Sequence, residues 1–194
     1  LLCFGARQGK QQTFALLDEW VPMAKTMPRA EALAELARRY FTSHGPATLQ
    51  DFLWWSGLRT ADAREALELA KPQLAQEVID GQAYWVSSSV SIPIDASPTA
   101  YLLPPFDEYT VAYKDRRAVL DPMYAGRLHT GNGIFSPIIV LDGQVVGTWK
   151  RTLKKDTLTI TPSPFAKLNK TASRAIETAA NRYGEFLGAS IVWP

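Results

Sequence analysis

The chain holds one cysteine, Cys3, and two histidines, His44 and His129. A single thiol cannot close an internal disulfide, and this usage suits a reducing compartment. Three such donors, far apart in sequence, match no recognised zinc spacing, so no metal is expected. No apolar run approaches the ~20 residues that a membrane-spanning helix needs, and no secretory signal is visible. The expectation is therefore a cytoplasmic chain with no membrane partner. Three motifs are also missing: a phosphate-cradling glycine loop with Lys-Ser/Thr, a dinucleotide fingerprint after a strand, and a nucleophile elbow. The net charge of +2 is too small to argue for a polyanionic partner by itself.

What is present is ordinary globular composition, 46% hydrophobic and 21% charged, over 194 residues. That length allows one large or two small domains with a real core. Charge is unevenly spread. Residues 1–90 carry nine basic and ten acidic side chains, whereas residues 144–194 carry eight basic and three acidic. A polyanion would meet the C-terminal part first. The opening Leu1-Leu2-Cys3-Phe4 lacks an initiator Met and reads as the middle of an apolar strand. It suggests a piece of a longer protein.

Residues 1–27 read as a hairpin and connector left from a preceding winged helix. A strand runs to Ala6, a polar turn surrounds Gln8-Gly9-Lys10, and a second strand covers Thr13 to Leu17. Arg7 and Lys10 at its tip are either a solvated turn or a basic wing touching phosphate. Pro22 and Pro28 bracket the connector.

Residues 28–92 change to a helical period. Leu33, Leu36, Ala37, Tyr40 and Phe41 make one apolar face, stopped by His44-Gly45-Pro46, with glycine in the terminating role. Thr48 caps a second helix with Leu49, Phe52 and Leu53 inward; Thr60 caps a third with Ala63, Ala66, Leu67 and Ala70 inward. Asp80-Gly81-Gln82 then joins two short strands. Three helices followed by a hairpin predict a winged helix-turn-helix. Its third helix carries three basic and three acidic residues from Arg59 to Lys71, leaving no net positive charge for phosphates. That favours a scaffold over a base reader.

Residues 93–194 read as an antiparallel, barrel-like β domain with a C-terminal helix, making the whole an α+β protein. A Pro-containing linker (Pro93, Pro98) leads to the corner Tyr101–Lys114, which packs Pro104-Pro105, Asp107-Glu108 and three tyrosines into fourteen residues. Either the tyrosines pack a core and the acids cap a short helix, or the acids take part in chemistry; Arg116 and Arg117 follow directly. Ala118 to Gly133 reads as a loop with Arg127 and His129, the histidine being either an exposed loop residue or a chemical group. Strands flank Asp142-Gly143, and Thr157-Leu158-Thr159-Ile160-Thr161 alternates, one face buried and one wet. Lys150, Arg151, Lys154 and Lys155 sit between the last two strands beside Trp149. They are either charges that protect a strand edge or a phosphate-contacting hairpin. Asn169 or Thr171 caps a final helix that Gly188 ends, and Ile191-Val192-Trp193 reads as a closing strand.

Leu102-Leu103-Pro104-Pro105-Phe106-Asp107-Glu108-Tyr109 with Tyr113-Lys114-Asp115-Arg116 resembles the signature of a bacterial family, the tandem winged-helix DNA glycosylases that unhook interstrand crosslinks and remove bulky alkylated purines. Asn132-Gly133-Ile134-Phe135-Ser136-Pro137, Asp142-Gly143 and Gly147-Thr148-Trp149-Lys150-Arg151 are similar to its C-terminal pattern. So are Arg7-Gln8-Gly9-Lys10, Leu17-Asp18-Glu19-Trp20 and Ala180-Asn181-Arg182-Tyr183. The resemblance implies double-stranded DNA on a concave basic surface, a β-hairpin probing the lesion, and water cleaving the N-glycosidic bond of a cationic base. No cofactor is implied, because a charged base leaves readily and polar side chains suffice to position water. The family's Gln-apolar-Gln or Gln-apolar-Asp motif does not match the spacing of Gln8, Gln11 and Gln12. The catalytic residues are therefore unknown and expected upstream of Leu1, and this portion alone is expected to be inactive. The alternative is a non-catalytic, regulatory winged-helix DNA-binding protein; a winged-helix protein-interaction module is a third.

Overall fold

The structure, a computed structural model, describes residues 1–21, 26–89, 98–129 and 134–193. Pro22, Pro93 and the Asn132-Gly133 of the signature lie outside the described residues.

The first hairpin pairs β1 (Leu2–Phe4) with β2 (Phe14–Leu16), Leu2 opposite Leu16 and Phe4 opposite Phe14. A four-residue helix, α1 (Leu17–Trp20), follows directly. The Leu2, Phe4, Phe14 and Leu16 side chains are all exposed.

The helical half contains α2 (Arg29–Ser43), α3 (Leu49–Ser56) and α4 (Thr60–Ala70), then β3 (Leu74–Ile79) and β4 (Gln82–Ser87). Its core is the expected one: Leu33, Ala37, Tyr40, Phe41, Phe52, Ala63, Ala66, Leu67 and Ala70, with Trp85 of β4 closing it. Tyr40, Phe41 and Phe52 are fully buried and touch at ring separations of 5.2–5.5 Å. Each such side chain contributes on the order of 2–3 kcal/mol by leaving water. Ala47 and Trp85 exchange backbone hydrogen bonds, which fastens the hairpin to the turn before α3. One helix end differs from expectation. The Arg59 carbonyl accepts the first bond of α4, from Ala63, so Arg59 and not Thr60 is its cap residue. His44 is the cap residue of α2 and Gly45 follows it in the terminating position, as expected.

The β-rich half is a five-stranded sheet in the order β5-β6-β7-β8-β9: Ala100–Leu103, Ile138–Leu141, Gln144–Lys154, Thr157–Pro164 and Ser190–Val192. A bulge between Ile139 and Val140 accompanies its curl. β5 and β9 are its edges, so the barrel-like domain expected from the pattern is an open half-barrel. β9 pairs in parallel with β8, because the chain crosses the sheet through α6 (Lys170–Leu187) before returning. Asn169 caps α6 and Gly188 ends it in the left-handed conformation. Ile176, Ala179 and Ala180 of α6 pack on Ile139, Trp149, Leu158 and Ile160. The other face of β6 and the start of β7 is covered by Leu120, Leu128, Tyr109 and Tyr124. Leu120 and Leu128 are buried and Pro122–Leu128 forms a 3-10 turn, so the stretch expected as loop is partly core.

The corner segment is the joint between the halves. Pro104-Pro105 ends β5, and Asp107 caps α5 (Glu108–Val111) by accepting from the Tyr109 amide at 2.9 Å. The Tyr40 hydroxyl donates to the Ala112 carbonyl, and the Tyr113 hydroxyl donates to the His44 carbonyl at 2.7 Å. Trp54 donates to the Val111 carbonyl, and Trp55 to the Glu108 carboxylate. Burial, with Asp51 nearby, pushes the Tyr113 hydroxyl up to about 12, so it stays a neutral donor.

Candidate nucleic-acid interface

Strand alternation divides the β7–β8 hairpin into two unlike faces. Trp149, Leu158 and Ile160 point toward α6 and are buried. The opposite face is read from the register: Thr148 opposite Ser163, Lys150 opposite Thr161, Thr152 opposite Thr159, and Lys154 opposite Thr157. Six hydroxyls and two ammonium groups thus stand on one side of two strands that contain no carboxylate. Thr148 and Thr159 are half-buried and the other six are exposed. Hydroxyls and ammonium groups are the donors that phosphate oxygens accept from, and neither type demands a particular base.

The four cations expected here do not share that face. Lys150 and Lys154 lie on it. Arg151 is one step out of phase, on the α6 side, with its guanidinium 5.5 Å from the Tyr183 ring centre. Lys155 occupies the turn at φ 51. Trp149 is not a surface partner of these charges: it is buried, 5.7 Å from Tyr183, and donates its indole N–H to the Leu103 carbonyl. The sequence pattern marks the β8 threonines only as a wet face; their pairing with the lysines across the hairpin is set by the register.

Arg116 and His129 come together around Phe135. The Arg116 guanidinium is 5.4 Å from the ring centre and the His129 ring 4.5 Å, while Phe106 meets Phe135 edge-on at 5.5 Å. Arg116 donates through Nε to the Thr110 carbonyl. Burial lowers its affinity for its proton, and no salt bridge joins it to a carboxylate among the described residues. Arg127 stacks elsewhere, 4.6 Å from Phe165, which is itself stacked on Tyr124 at 4.8 Å. Arg117 is engaged with Asp115, which that contact holds below the usual carboxylate range. Arg7 and Lys10 stand exposed at the turn of the β1–β2 hairpin. Asp107 and Glu108 are bound into the joint: Glu108 lies 3.3 Å from His44 Nε2 as well as accepting from Trp55.

The fold has a solved counterpart, and the sequence a family and a curated relative. The AlkZ-like DNA glycosylase family matches residues 1–186. The chain belongs to that family. A curated AlkZ-like relative, the interstrand DNA cross-link repair glycosylase of Streptomyces sahachiroi, is 26% identical over 98% of this chain and 53% of its own length. The solved structure of Streptomyces sahachiroi DNA glycosylase AlkZ superposes with a TM-score of 0.75 at 23% identity, over 100% of this chain and 54% of that one. At that identity the likeness concerns the fold. The chain spans about half the length of the AlkZ relatives it matches. Among its described residues no group of three His, Cys, Asp or Glu side chains is placed to hold a metal ion, and no helix is long and apolar enough to cross a membrane.

Proposed function

We propose that this chain is the DNA-holding portion of an AlkZ-like glycosylase that hydrolyses the N-glycosidic bond of alkylated or crosslinked purines in double-stranded DNA. The residues that activate water belong, in this reading, to the part of the family's length that these residues do not span. Family membership supports the repair reaction. The observation that carries the DNA-holding role is the face of Thr148, Lys150, Thr152, Lys154, Thr157, Thr159, Thr161 and Ser163. It offers donors to a phosphate backbone with no acid to repel it.

Residues 28–92 act as a winged helix-turn-helix scaffold and residues 93–194 as the contacting domain. The ion pairs of α4 support the scaffold role: Asp62 and Glu65 lie 2.7 and 3.4 Å from Arg29 of α2, and Lys71 is held by Glu68. These pairs tie α4 to its neighbours, and with three acids to three cations from Arg59 to Lys71 the helix brings no net positive charge to the major groove.

The test is duplex affinity across a salt series, for the chain and for Lys150→Ala with Lys154→Ala. Removing one lysine–phosphate pairing lowers the log–log salt slope by about 0.9. An unchanged slope removes this face from the interface. Excision of N7-alkylated guanine is measured alongside, with no release expected from these 194 residues alone. Release by this chain would place the chemistry within it.

A further inference from the structure

The Phe106 ring has a conformation and an exposure that packing does not explain. Among the described residues four non-glycine residues have positive φ; Asp80, Asp142 and Lys155 occupy hairpin turns, where that conformation is ordinary. The fourth is Phe106, at φ 59 in the turn after Pro105. Glycine or asparagine is the usual occupant of such a position, and a bulky aromatic there is a true outlier. The strain does not serve burial, because Phe106 is 54% exposed. Behind it Phe135 holds one edge of the ring, with Arg116 and His129 against Phe135. The Arg116 Nε is used by the Thr110 carbonyl, which leaves its two terminal amino groups. An exposed aromatic ring and a partly desolvated cation, both set against Phe135 and the cation with no carboxylate partner among the described residues, suit a ligand that is flat and apolar at one end and anionic at the other. A nucleotide is that ligand: bases stack on aromatic faces whatever their sequence, and the phosphate takes the arginine.

Building on the duplex-binding reading above, we infer that Phe106 and Arg116, braced by Phe135, form a site for one unpaired nucleotide of a DNA strand. Phe106 stacks on the base, and the terminal amino groups of Arg116 donate to the adjoining phosphate. His129, exposed and also set against Phe135, adds a polar group to the rim.

The experiment compares two duplexes of equal length, one fully paired and one carrying a single unpaired 2-aminopurine. The chain is expected to bind the second more tightly, on the order of tenfold, and to quench its fluorescence by stacking. Phe106→Gly removes the ring while suiting the positive φ, so the fold is kept; it is expected to abolish both the preference and the quenching. Phe106→Trp is expected to restore quenching. Arg116→Gln is expected to weaken the bulged duplex more than the paired one. Preference and quenching that survive in Phe106→Gly overturn this site. If the paired duplex binds and the unpaired nucleotide adds nothing, this site falls and the duplex reading stands. Binding to neither duplex overturns both.

Discussion

Oδ1 of Asp51 accepts a hydrogen bond from the Lys114 amide at 2.9 Å, across 63 residues of sequence. The same oxygen accepts from the Asp115 amide at 3.3 Å, while Oδ2 takes the Thr48 amide and hydroxyl. Asp51 is 3% exposed, so one buried carboxylate closes the capping box of α3 and anchors the corner of the other half. Asp51→Ala strands several donors away from water. It is expected to cost about 3 kcal/mol, within the usual range for hydrogen bonds to a charged group. Urea unfolding checks this; a midpoint unchanged from wild type would mean that the joint holds without it.

Gly147 of β7 faces β8 more closely than any side chain allows. A Cβ there would stand 2.7 Å from Pro164 Cα and 2.8 Å from the Ser163 carbonyl, both backbone atoms. Gly147→Ala is therefore expected to force the base of the hairpin apart and destabilise the chain by about 1–3 kcal/mol. It should also weaken duplex binding, because the Thr148–Ser163 pair adjoins it. Thermal unfolding together with duplex affinity reads both effects, and a variant as stable as wild type refutes the close approach.

The acid limb of stability has one identifiable contributor in α2. Hydrogen bonds from Arg38 and then Arg39 lower the Glu35 carboxyl from 4.5 to about 2. A carboxyl depressed by folding binds fewer protons in the native state, so its contribution is fully present above pH 4.5 and is lost as pH falls toward 2. Glu35→Gln is expected to flatten the stability profile inside that window and leave its shape near neutrality alone. An acid limb identical to wild type would show that this cluster is not coupled to folding.

Phe106 gives a prediction about stability that is independent of DNA. Its φ of 59 is strained for an aromatic residue and ordinary for glycine, and over half the ring is in water. Phe106→Gly relieves the backbone, by about 1 kcal/mol, against modestly weaker packing on Phe135. The expected unfolding midpoint is within about 1 kcal/mol of wild type. A larger drop would make the ring a core element rather than a presented surface.

Local chemistry accounts for much of what was legible from the residues. The 3.6-residue spacing of Leu33, Ala37, Tyr40 and Phe41, the Thr48–Asp51 cap, the Asp-Gly turns and the alternation of Thr157 to Thr161 depend on neighbours a few residues away, so they could be read in order along the chain. The corner motif likewise declared a non-helical bend and a helix cap, which Pro104-Pro105 and Asp107 supply. The family resemblance rests on the same residues. Long-range relationships carried no such local mark. The parallel pairing of β9, the burial of Trp149 and the cation split that sends Arg151 to Tyr183 follow from how α6 crosses the sheet. The meeting of Phe106, Arg116 and His129 on Phe135, and the hold of Asp51 on Lys114, join groups separated by up to 63 residues. Such contacts form once chain-closure entropy has been offset by packing elsewhere, and so it was the assembled core, not any local pattern, that put these side chains side by side.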